Sequence, residues 1–257
     1  MTADDPYRDL ADEYHWFFDD RALVIGCDTP GVRAVMAGLD EGARVLDAAC
    51  GIGVDAAGLL RRGLDVTATD ASAAMVEHTR RRLADVVPSG RHRVLLSSWV
   101  DLPVHVEPHT FDAVFCIGNS IAHAQDRRAM VAAFTAFHTV LAPGGVLVVD
   151  SFDWELLGAA GSRLEVEPEV VERDGVRCVR AYAWTGPAAA GDPWVLEIAP
   201  ILLDGDRATL RSHRVDLYPF TRRELRERLE SAGFEGVAID AVPRDDRFTA
   251  VARRPTG

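Results

Sequence analysis

The 257-residue chain has no run of basic residues longer than Arg80-Arg81-Arg82, and its formal net charge is −12. Nucleic-acid-binding proteins present clustered cations to phosphates, so this composition argues against a nucleic-acid partner. No uninterrupted apolar stretch approaches the roughly 18–20 residues needed to span a bilayer. The N-terminus also lacks the basic and apolar regions of a signal peptide. We therefore expect a cytoplasmic protein with no membrane partner.

Signatures of several common chemistries are missing as well. The four cysteines show no C-x-x-C spacing, which argues against a metal site and a disulfide framework. Only His105 and His109 among the eight histidines have the H-x-x-x-H spacing, and no His/Cys cluster accompanies them to suggest a metal. No Gly-x-Ser-x-Gly sequence, the nucleophile turn of many serine hydrolases, is present. We expect no bound metal.

Strand and helix patterns alternate between residues 43 and 150. The predicted strands are 45–46, 65–70, 94–97, 111–117 and 146–150, and the predicted helices are 54–62, 73–84 and 127–141. Pro143-Gly144-Gly145 is predicted to form a turn before the fifth strand. This alternation predicts an α/β fold with a doubly wound, mostly parallel sheet that binds its ligand at the carboxyl ends of the strands. Strands predicted at 237–242 and 248–252 bring the sheet to seven strands.

Four regions follow from this pattern. Residues 1–42 are predicted to form a mostly helical cover, and residues 43–154 the ligand-binding core. Residues 155–218 are β-rich, and we expect an antiparallel insertion that acts as a substrate lid and could also form a dimer surface. Residues 219–257 return to the βα pattern, with Thr221 capping a helix over 222–232, and complete the core sheet.

A glycine loop follows the first strand. Val45-Leu46 leads to Asp47, and the chain then turns through Gly51 and Gly53 into an alanine-rich helix. This layout is typical of a nucleotide-binding βα unit, although Gly-x-Gly is also found in ordinary tight turns. Asp47 would repel a pyrophosphate but suits a ligand that carries an ammonium or sulfonium group.

Two further groups of polar side chains follow strands of the predicted sheet. Asp70 ends the second strand, where an acid can accept both hydroxyls of a ribose. After the third strand, the indole of Trp99 could stack on an adenine while Ser98 bonds its ring edge, or Trp99 could belong to the core.

The segment 117–123 follows the fourth strand. Gly118 allows close backbone approach, and Asn119, Ser120 and His123 offer hydrogen-bonding groups. A lone histidine is usually structural, but its place at the end of a strand makes His123 a candidate for the site. His105, His109, His138 and His213 have no such placement.

Four motifs in order resemble those of a known family. They are Val45–Asp55, Val66–Ser72, Phe111–His123 and Pro143–Asp150. The chain resembles the class I S-adenosylmethionine-dependent methyltransferases, and among them the glycine N-methyltransferase-like group. The resemblance implies a Rossmann-like fold, S-adenosyl-L-methionine as cofactor and a small-molecule methyl acceptor.

The resemblance also implies roles for individual residues. Asp47, Ala49, Gly51, Gly53 and Ile117 would hold the methionine portion of the cofactor, and Asp70 its ribose. The full implied cofactor-binding set is Tyr7, Tyr14, Trp16, Asp47, Ala49, Gly51, Gly53, Asp70, Ala71, Met75, Ser98, Trp99, Ile117 and Gly118. Asn119 and His123 would face the zone of methyl transfer, as the catalytic candidates.

Two positions depart from the family pattern. Ser98 replaces an asparagine, which alters one hydrogen bond to the adenine. Phe152 stands where the glycine-methylating enzymes carry an arginine that binds the substrate carboxylate. The sequence therefore predicts an N-methyltransferase for a small-molecule amine larger and more apolar than glycine, with Phe152, Trp154 and the β insertion shaping the pocket.

Several alternatives stay open at this point. An O-methyltransferase of a specialised metabolite would need a general base, for which His123 is the candidate. Gly51-x-Gly53-x-x-Ala56 also fits the loose nicotinamide fingerprint of an oxidoreductase. A non-catalytic cofactor-binding or partner-binding module and a homo-oligomer are further possibilities.

Overall fold

Two β-sheets organise the part of the chain that the computed structural model describes, residues 5, 7–86, 91–189, 191–242 and 246–257. The strands of the first, sheet A, are β1 (Arg44–Ala48), β2 (Asp65–Asp70), β3 (His92–Leu96), β4 (Phe111–Cys116), β5 (Leu141–Phe152), β12 (Glu235–Ala241) and β13 (Arg247–Arg253). Their order is β12-β13-β5-β4-β1-β2-β3. β13 alone runs in the direction opposite to the other six strands, so the predicted mostly parallel seven-stranded sheet is confirmed.

Helices cover both faces of sheet A. They are α1 (Asp20–Ile25), α2 (Pro30–Ala37), α3 (Val54–Arg61), α4 (Ala73–Val86), α5 (Leu102–His105), α6 (Arg127–Val140), α7 (Trp154–Ala160) and α8 (Arg222–Ser231). β1 and β4 are almost entirely buried, as expected of central parallel strands covered on both faces. Thr221 and Glu224 form a capping box at the start of α8, which confirms the predicted cap.

Two details differ from the sequence prediction. Pro143-Gly144-Gly145 lies within β5 rather than before it, because Gly144 has φ +80° and the pairing of β4 with β5 changes register between Phe111 and Ala113. The chain therefore bulges at this point without leaving the sheet. Helix α7 was not predicted, although the Asp153 side chain caps it by accepting from the Glu155 amide.

The second sheet, sheet B, is antiparallel and lies at the carboxyl-end edge of sheet A. Its strands are β6 (Arg163–Val166), β7 (Val171–Arg173), β8 (Val176–Thr185), β9 (Trp194–Asp204), β10 (Arg207–Leu210) and β11 (His213–Leu217). The Trp184 ring on β8 contacts Phe152 at the end of β5, with centroids 5.3 Å apart. The Tyr218 amide, just after β11, donates to the Ala122 carbonyl at 2.7 Å. Both contacts place sheet B next to the ends of β4 and β5.

The first described residues run across the same edge. A short 3₁₀ helix, Tyr14–Phe17, precedes α1 and packs against β8. Among the described residues, no helix has the length and apolar character needed to cross a membrane.

Candidate active site

A cavity of about 350 Å³ opens where β1, β2, β3 and β4 end. Acidic, hydroxyl and aromatic side chains share its wall with backbone from the glycine loops. The lining residues are Asp5, Tyr7, Tyr14, Ala49, Gly51, Asp70, Ala71, Ser72, Met75, Ser97, Ser98, Trp99, Gly118, Ser120 and His123. The cavity therefore lies at the ligand-binding edge expected of a doubly wound sheet.

The loop after β1 forms one wall through its backbone. Ala49 has φ 99°, a conformation that non-glycine residues rarely adopt, and Gly51 has φ 53°. The amides of Ala49 and Cys50 both donate to the Thr69 carbonyl on β2, at 2.8 and 2.9 Å. These contacts hold the loop in a strained conformation beside the cavity, as is common at functional sites.

Gly53 has a packing role in this structure. It has φ 78°, and a Cβ placed there would meet the Thr79 side chain on α4 at 2.9 Å. Gly53 therefore allows α3 and α4 to approach closely and lies outside the cavity wall.

Asp70 is fixed by backbone amides. Its Oδ2 accepts from the Gly51 amide at 2.9 Å, and its Oδ1 from the Ser72 amide at 2.8 Å. Burial raises the pKa of Asp70, and these two hydrogen bonds oppose the shift. Asp5 extends the acidic wall, because its carboxylate accepts from the Ser72 hydroxyl at 2.8 Å.

Asp47 lies beneath the loop rather than in the cavity wall. Its side chain is buried, and Oδ2 has no hydrogen-bond partner among the described residues. Burial, and then the nearby Asp55 and Asp70, raise the pKa of Asp47 well above its usual range, while a hydrogen bond from the Ala56 amide opposes the shift. A buried carboxylate with an unpaired oxygen suits a cationic or hydrogen-bond-donating ligand.

The loop after β3 contributes a mixed surface. Trp99 lines the cavity while its Nε1 donates to the Ala48 carbonyl at 3.4 Å and its ring packs edge-on against Phe137. The Ser98 hydroxyl donates to Asp101 at 2.6 Å. Trp99 therefore belongs both to the core and to the cavity, and the Ser98 hydroxyl proton is already engaged within its own loop.

Asn119 joins the loop after β4 to β5. Its Oδ1 accepts from the Ser151 hydroxyl at 2.7 Å and from the Phe152 amide at 3.1 Å. The backbone N–H of Asn119 donates to Oδ1 of Asp150 at 3.2 Å. Asn119 is buried and lies outside the cavity wall, whereas its neighbours Gly118 and Ser120 line the cavity. The structure thus places Asn119 as a support for this loop.

His123 and Tyr7 meet at the cavity wall, with the Tyr7 hydroxyl 2.7 Å from Nε2 of His123. Burial lowers the pKa of His123 to about 4, and a hydrogen bond to the Asp216 carbonyl only partly opposes this. In the tautomer that carries its proton on Nδ1, His123 accepts at Nε2 from the Tyr7 hydroxyl. Burial raises the pKa of Tyr7 well above its usual range and that of Tyr14 to about 12. All three side chains are neutral at physiological pH.

Tyr14 and Trp16 point to opposite sides of their 3₁₀ helix. Tyr14 lines the cavity, whereas Trp16 packs under the Arg173 guanidinium, 5.3 Å from the ring centroid. Arg173, in the β7–β8 hairpin, also donates to the carbonyls of His15 and Phe18, both at 2.8 Å. Sheet B therefore holds the N-terminal segment across the cavity.

The structure brings most of the predicted site residues together. Those in the cavity wall are Tyr7, Tyr14, Ala49, Gly51, Asp70, Ala71, Met75, Ser98, Trp99, Gly118 and His123, and those outside it are Trp16, Asp47, Gly53, Ile117 and Asn119. Sequence reasoning missed Asp5, Ser72 and Ser97 as lining residues, and it named Ser120 only as a hydrogen-bonding group of the segment 117–123. Ser72 lies within a family-like motif and could have been found there, but no motif marks Asp5.

Comparison with known proteins supports the family. A family model described as a methyltransferase domain matches residues 45–145. The glycine/sarcosine N-methyltransferase of Aphanothece halophytica is 25% identical over 201 residues, which cover 76% of this chain and 67% of that protein. The glycine N-methyltransferase of Rattus norvegicus is 32% identical over 126 residues, covering 46% of this chain and 43% of that protein. The chain thus spans less than half the length of the rat relative.

Solved structures match over nearly the whole chain. DesVI from Streptomyces venezuelae has a TM-score of 0.77 at 22% identity and covers 96% of this chain and 98% of its own. The sugar N-methyltransferase KedS8 from Streptoalloteichus sp. has a TM-score of 0.72 at 26% identity, with 94% and 92% coverage. The nicotinamide-dependent and non-catalytic alternatives find no support in these matches. The chain thus carries a methyltransferase domain over residues 45–145 and is similar to glycine N-methyltransferases in sequence and to S-adenosylmethionine-dependent methyltransferases in fold.

Proposed function

We propose that this enzyme transfers a methyl group to the amine nitrogen of a small molecule of the amino-sugar kind. The relatives reported above are named as N-methyltransferases, and KedS8, similar over almost the full chain, is named as a sugar N-methyltransferase. The observation that carries the choice of nitrogen over oxygen is the neutral pair of Tyr7 and His123 in the cavity wall.

The cavity residues fit S-adenosylmethionine, which supplies an electrophilic methyl group on a sulfonium. Asp70 would accept the ribose hydroxyls, and Met75 and Trp99 would contact the adenine. The ammonium of the methionine portion would lie beside the Ala49–Gly51 loop. The unpaired Oδ2 of Asp47, buried beneath this loop, would attract it. An acidic site of this kind favours a cationic ligand and disfavours a pyrophosphate.

His123 is a poor general base in this environment. Its pKa of about 4 makes its affinity for a proton low, and Nε2 is already bonded to the Tyr7 hydroxyl. A hydroxyl acceptor would need a base in its reaction. An unprotonated amine would need none, because its own lone pair would accept the methyl group that the sulfonium supplies and the product ammonium would then lose a proton to solvent. The pair of Tyr7 and His123 would instead orient the amine by hydrogen bonding.

Positioning is then the main contribution of the protein to rate. Alignment of two reacting groups can supply roughly 7–11 kcal/mol of the barrier. Asn119 would act as a positioning residue, since its Oδ1 holds Ser151 and the Phe152 amide at the end of β5. We propose that sheet B forms the roof over the acceptor, with Phe152, Trp154 and Trp184 as an apolar wall.

Paired acceptors test this function. Purified enzyme with S-adenosylmethionine is offered an amino sugar and the same sugar with a hydroxyl in place of the amine, and products are identified by mass spectrometry. We expect methylation of the amine only. Methylation of the hydroxyl sugar, with a rate that falls at least a hundredfold in His123→Gln, would favour the O-methyltransferase instead.

A further inference from the structure

Arg180 is a buried cation on the inner face of sheet B. Along β8 the side chains alternate in direction, so Cys178, Arg180, Tyr182 and Trp184 share one face. That face is turned toward the core, because the Trp184 ring contacts Phe152, as described above. The Arg180 side chain is only 9% exposed.

The charge of Arg180 is poorly compensated within the described part of the chain. Its Nε is buried and has no hydrogen-bond partner there. Its one ion pair there is with Glu167, at 3.9 Å from Nη2, and the Glu167 side chain is 42% exposed. A buried cation is normally paired and hydrogen-bonded, since an uncompensated one costs several kcal/mol. Arg180 thus lacks the partner that its burial calls for.

The inner face of β8 leads from this charge toward the cavity. The Tyr182 ring lies 5.9 Å from Phe17, and Phe17 lies 5.9 Å from Tyr14, which lines the cavity. Arg180 precedes Trp184 by four residues, which corresponds to roughly 13 Å at the usual rise of a strand. Arg180 is therefore set back along β8 from Trp184, which contacts Phe152 at the end of β5, by about the length of a small molecule.

We propose that Arg180 binds an anionic group, a phosphate or a carboxylate, on the acceptor, at the end remote from the amine that is methylated. This inference rests on the proposed function, since it assigns a second recognition point to the same acceptor. Phe152 replaces the arginine with which the glycine-methylating enzymes bind a carboxylate, and the neighbouring Arg247 is paired with Asp150. In this chain the anion contact lies deeper under sheet B, which accommodates a longer acceptor.

Matched substrates and a matched variant test the proposal. The acceptors are glucosamine, glucosamine 1-phosphate and glucosaminate, which share an amine and differ in the anion. The variants are Arg180→Gln and, as control, Arg177→Gln, which removes an exposed cation of the same strand. We expect one of the anionic acceptors to have a KM at least tenfold below that of glucosamine, and Arg180→Gln but not Arg177→Gln to abolish the difference. The anionic acceptor with the lower KM shows whether Arg180 binds a phosphate or a carboxylate.

Two further measurements test the anion site separately from the proposed methyl transfer. Titration calorimetry with inorganic pyrophosphate reports the anion site even if no amine is methylated, and we expect binding by wild type and Arg177→Gln that Arg180→Gln loses. Arg180→Met should melt at the same or a higher temperature than wild type, because the unligated protein gains little from this charge. Equal KM values for charged and neutral acceptors together with pyrophosphate binding that survives Arg180→Gln would overturn the proposal. A fall of several degrees in the melting temperature of Arg180→Met would overturn it too, by showing a structural role.

Discussion

The Tyr7 hydroxyl lies 2.7 Å from Nε2 of His123, in a hydrogen bond that joins residues 116 positions apart in the sequence. This contact closes the N-terminal segment over the cavity, where burial lowers the pKa of His123 to about 4 and so keeps it neutral. Under the proposed function, this neutral pair would hydrogen-bond an acceptor amine without protonating it.

The first prediction concerns the titration of His123. Tyr7→Phe removes the donor that favours the neutral imidazole, so we expect the pKa of His123 to rise from about 4. Heteronuclear NMR of the ring measures this directly. Tyr218→Phe, which leaves this hydrogen bond intact, serves as control and should leave the pKa unchanged.

The lowered pKa of His123 also makes the free energy of unfolding of the wild-type protein depend on pH. Because the pKa of His123 is about 4 when folded and 6.5 when unfolded, the unfolded chain binds the proton more tightly. Keeping His123 neutral in the folded protein contributes up to about 3 kcal/mol to the free energy of unfolding. This contribution is complete above about pH 6.5 and is lost as the pH falls to about 4. Urea unfolding of wild type and His123→Gln over this range should show a shallower decline in the variant. Parallel curves would contradict the assignment.

Asp70 is predicted to control cofactor affinity. Asp70→Asn removes a charged acceptor that receives two backbone amides and lies in the cavity wall. We expect the Kd for S-adenosylmethionine to rise by about 10- to 100-fold, as for the loss of about 1.5–3 kcal/mol from a charged hydrogen bond. Asp65→Asn, at the start of the same strand, is the matched control. Equal Kd values for the two variants in titration calorimetry would count against Asp70 as the ribose ligand.

Gly53 and Gly175 separate steric contact from backbone strain, because both have φ 78°. A Cβ at Gly53 would meet Thr79, whereas a Cβ at Gly175 has nothing within 4 Å. Gly175→Ala should cost about 1 kcal/mol from the left-handed backbone alone. Gly53→Ala should cost about 2–4 kcal/mol because overpacking adds to it. Denaturant unfolding of both variants measures the difference, and equal losses would disprove the packing role.

Phe152 is predicted to resist conversion to the glycine-type arginine. The Arg247 guanidinium lies over the Phe152 ring, 4.7 Å from its centroid, and pairs with Asp150. Phe152→Arg would bring a second cation beside Arg247, so we expect a stability loss of about 2–4 kcal/mol and no methylation of glycine. Phe152→Leu should lose less stability. Glycine methylation by Phe152→Arg would show that this one position decides the substrate.

Local sequence signals located most of the fold. Strand β2 runs from Asp65 to Asp70 as predicted, because a glycine precedes it and an acid ends it. The prediction for β3 began at Val94, two residues after its start at His92, since a half-buried edge strand has a weaker apolar pattern. Motifs at the strand ends likewise found Asp70, Gly118 and His123, since the carboxyl ends of parallel strands meet at one edge.

Contacts between segments that are distant in the sequence could not be predicted from local sequence patterns. The resemblance favoured Trp16 over Tyr14 as an aromatic residue over the cofactor, but the 3₁₀ helix places Tyr14 in the cavity wall and Trp16 against Arg173. Nothing local marks the pairing of Tyr7 with His123 or the burial of Arg180. These features arise only when sheet B and the N-terminal segment pack over the carboxyl edge of sheet A.

The central claim is that this cavity directs methyl transfer from S-adenosylmethionine to an amine nitrogen. The most direct measurement uses S-adenosylmethionine labelled with ¹³C at the methyl group, an amino-sugar acceptor and ¹³C NMR of the product. The account predicts an N-methyl carbon resonance whose rate of appearance drops in Asp70→Asn at a fixed, limiting cofactor concentration. An O-methyl resonance, or an N-methyl rate unchanged by Asp70→Asn, would contradict it.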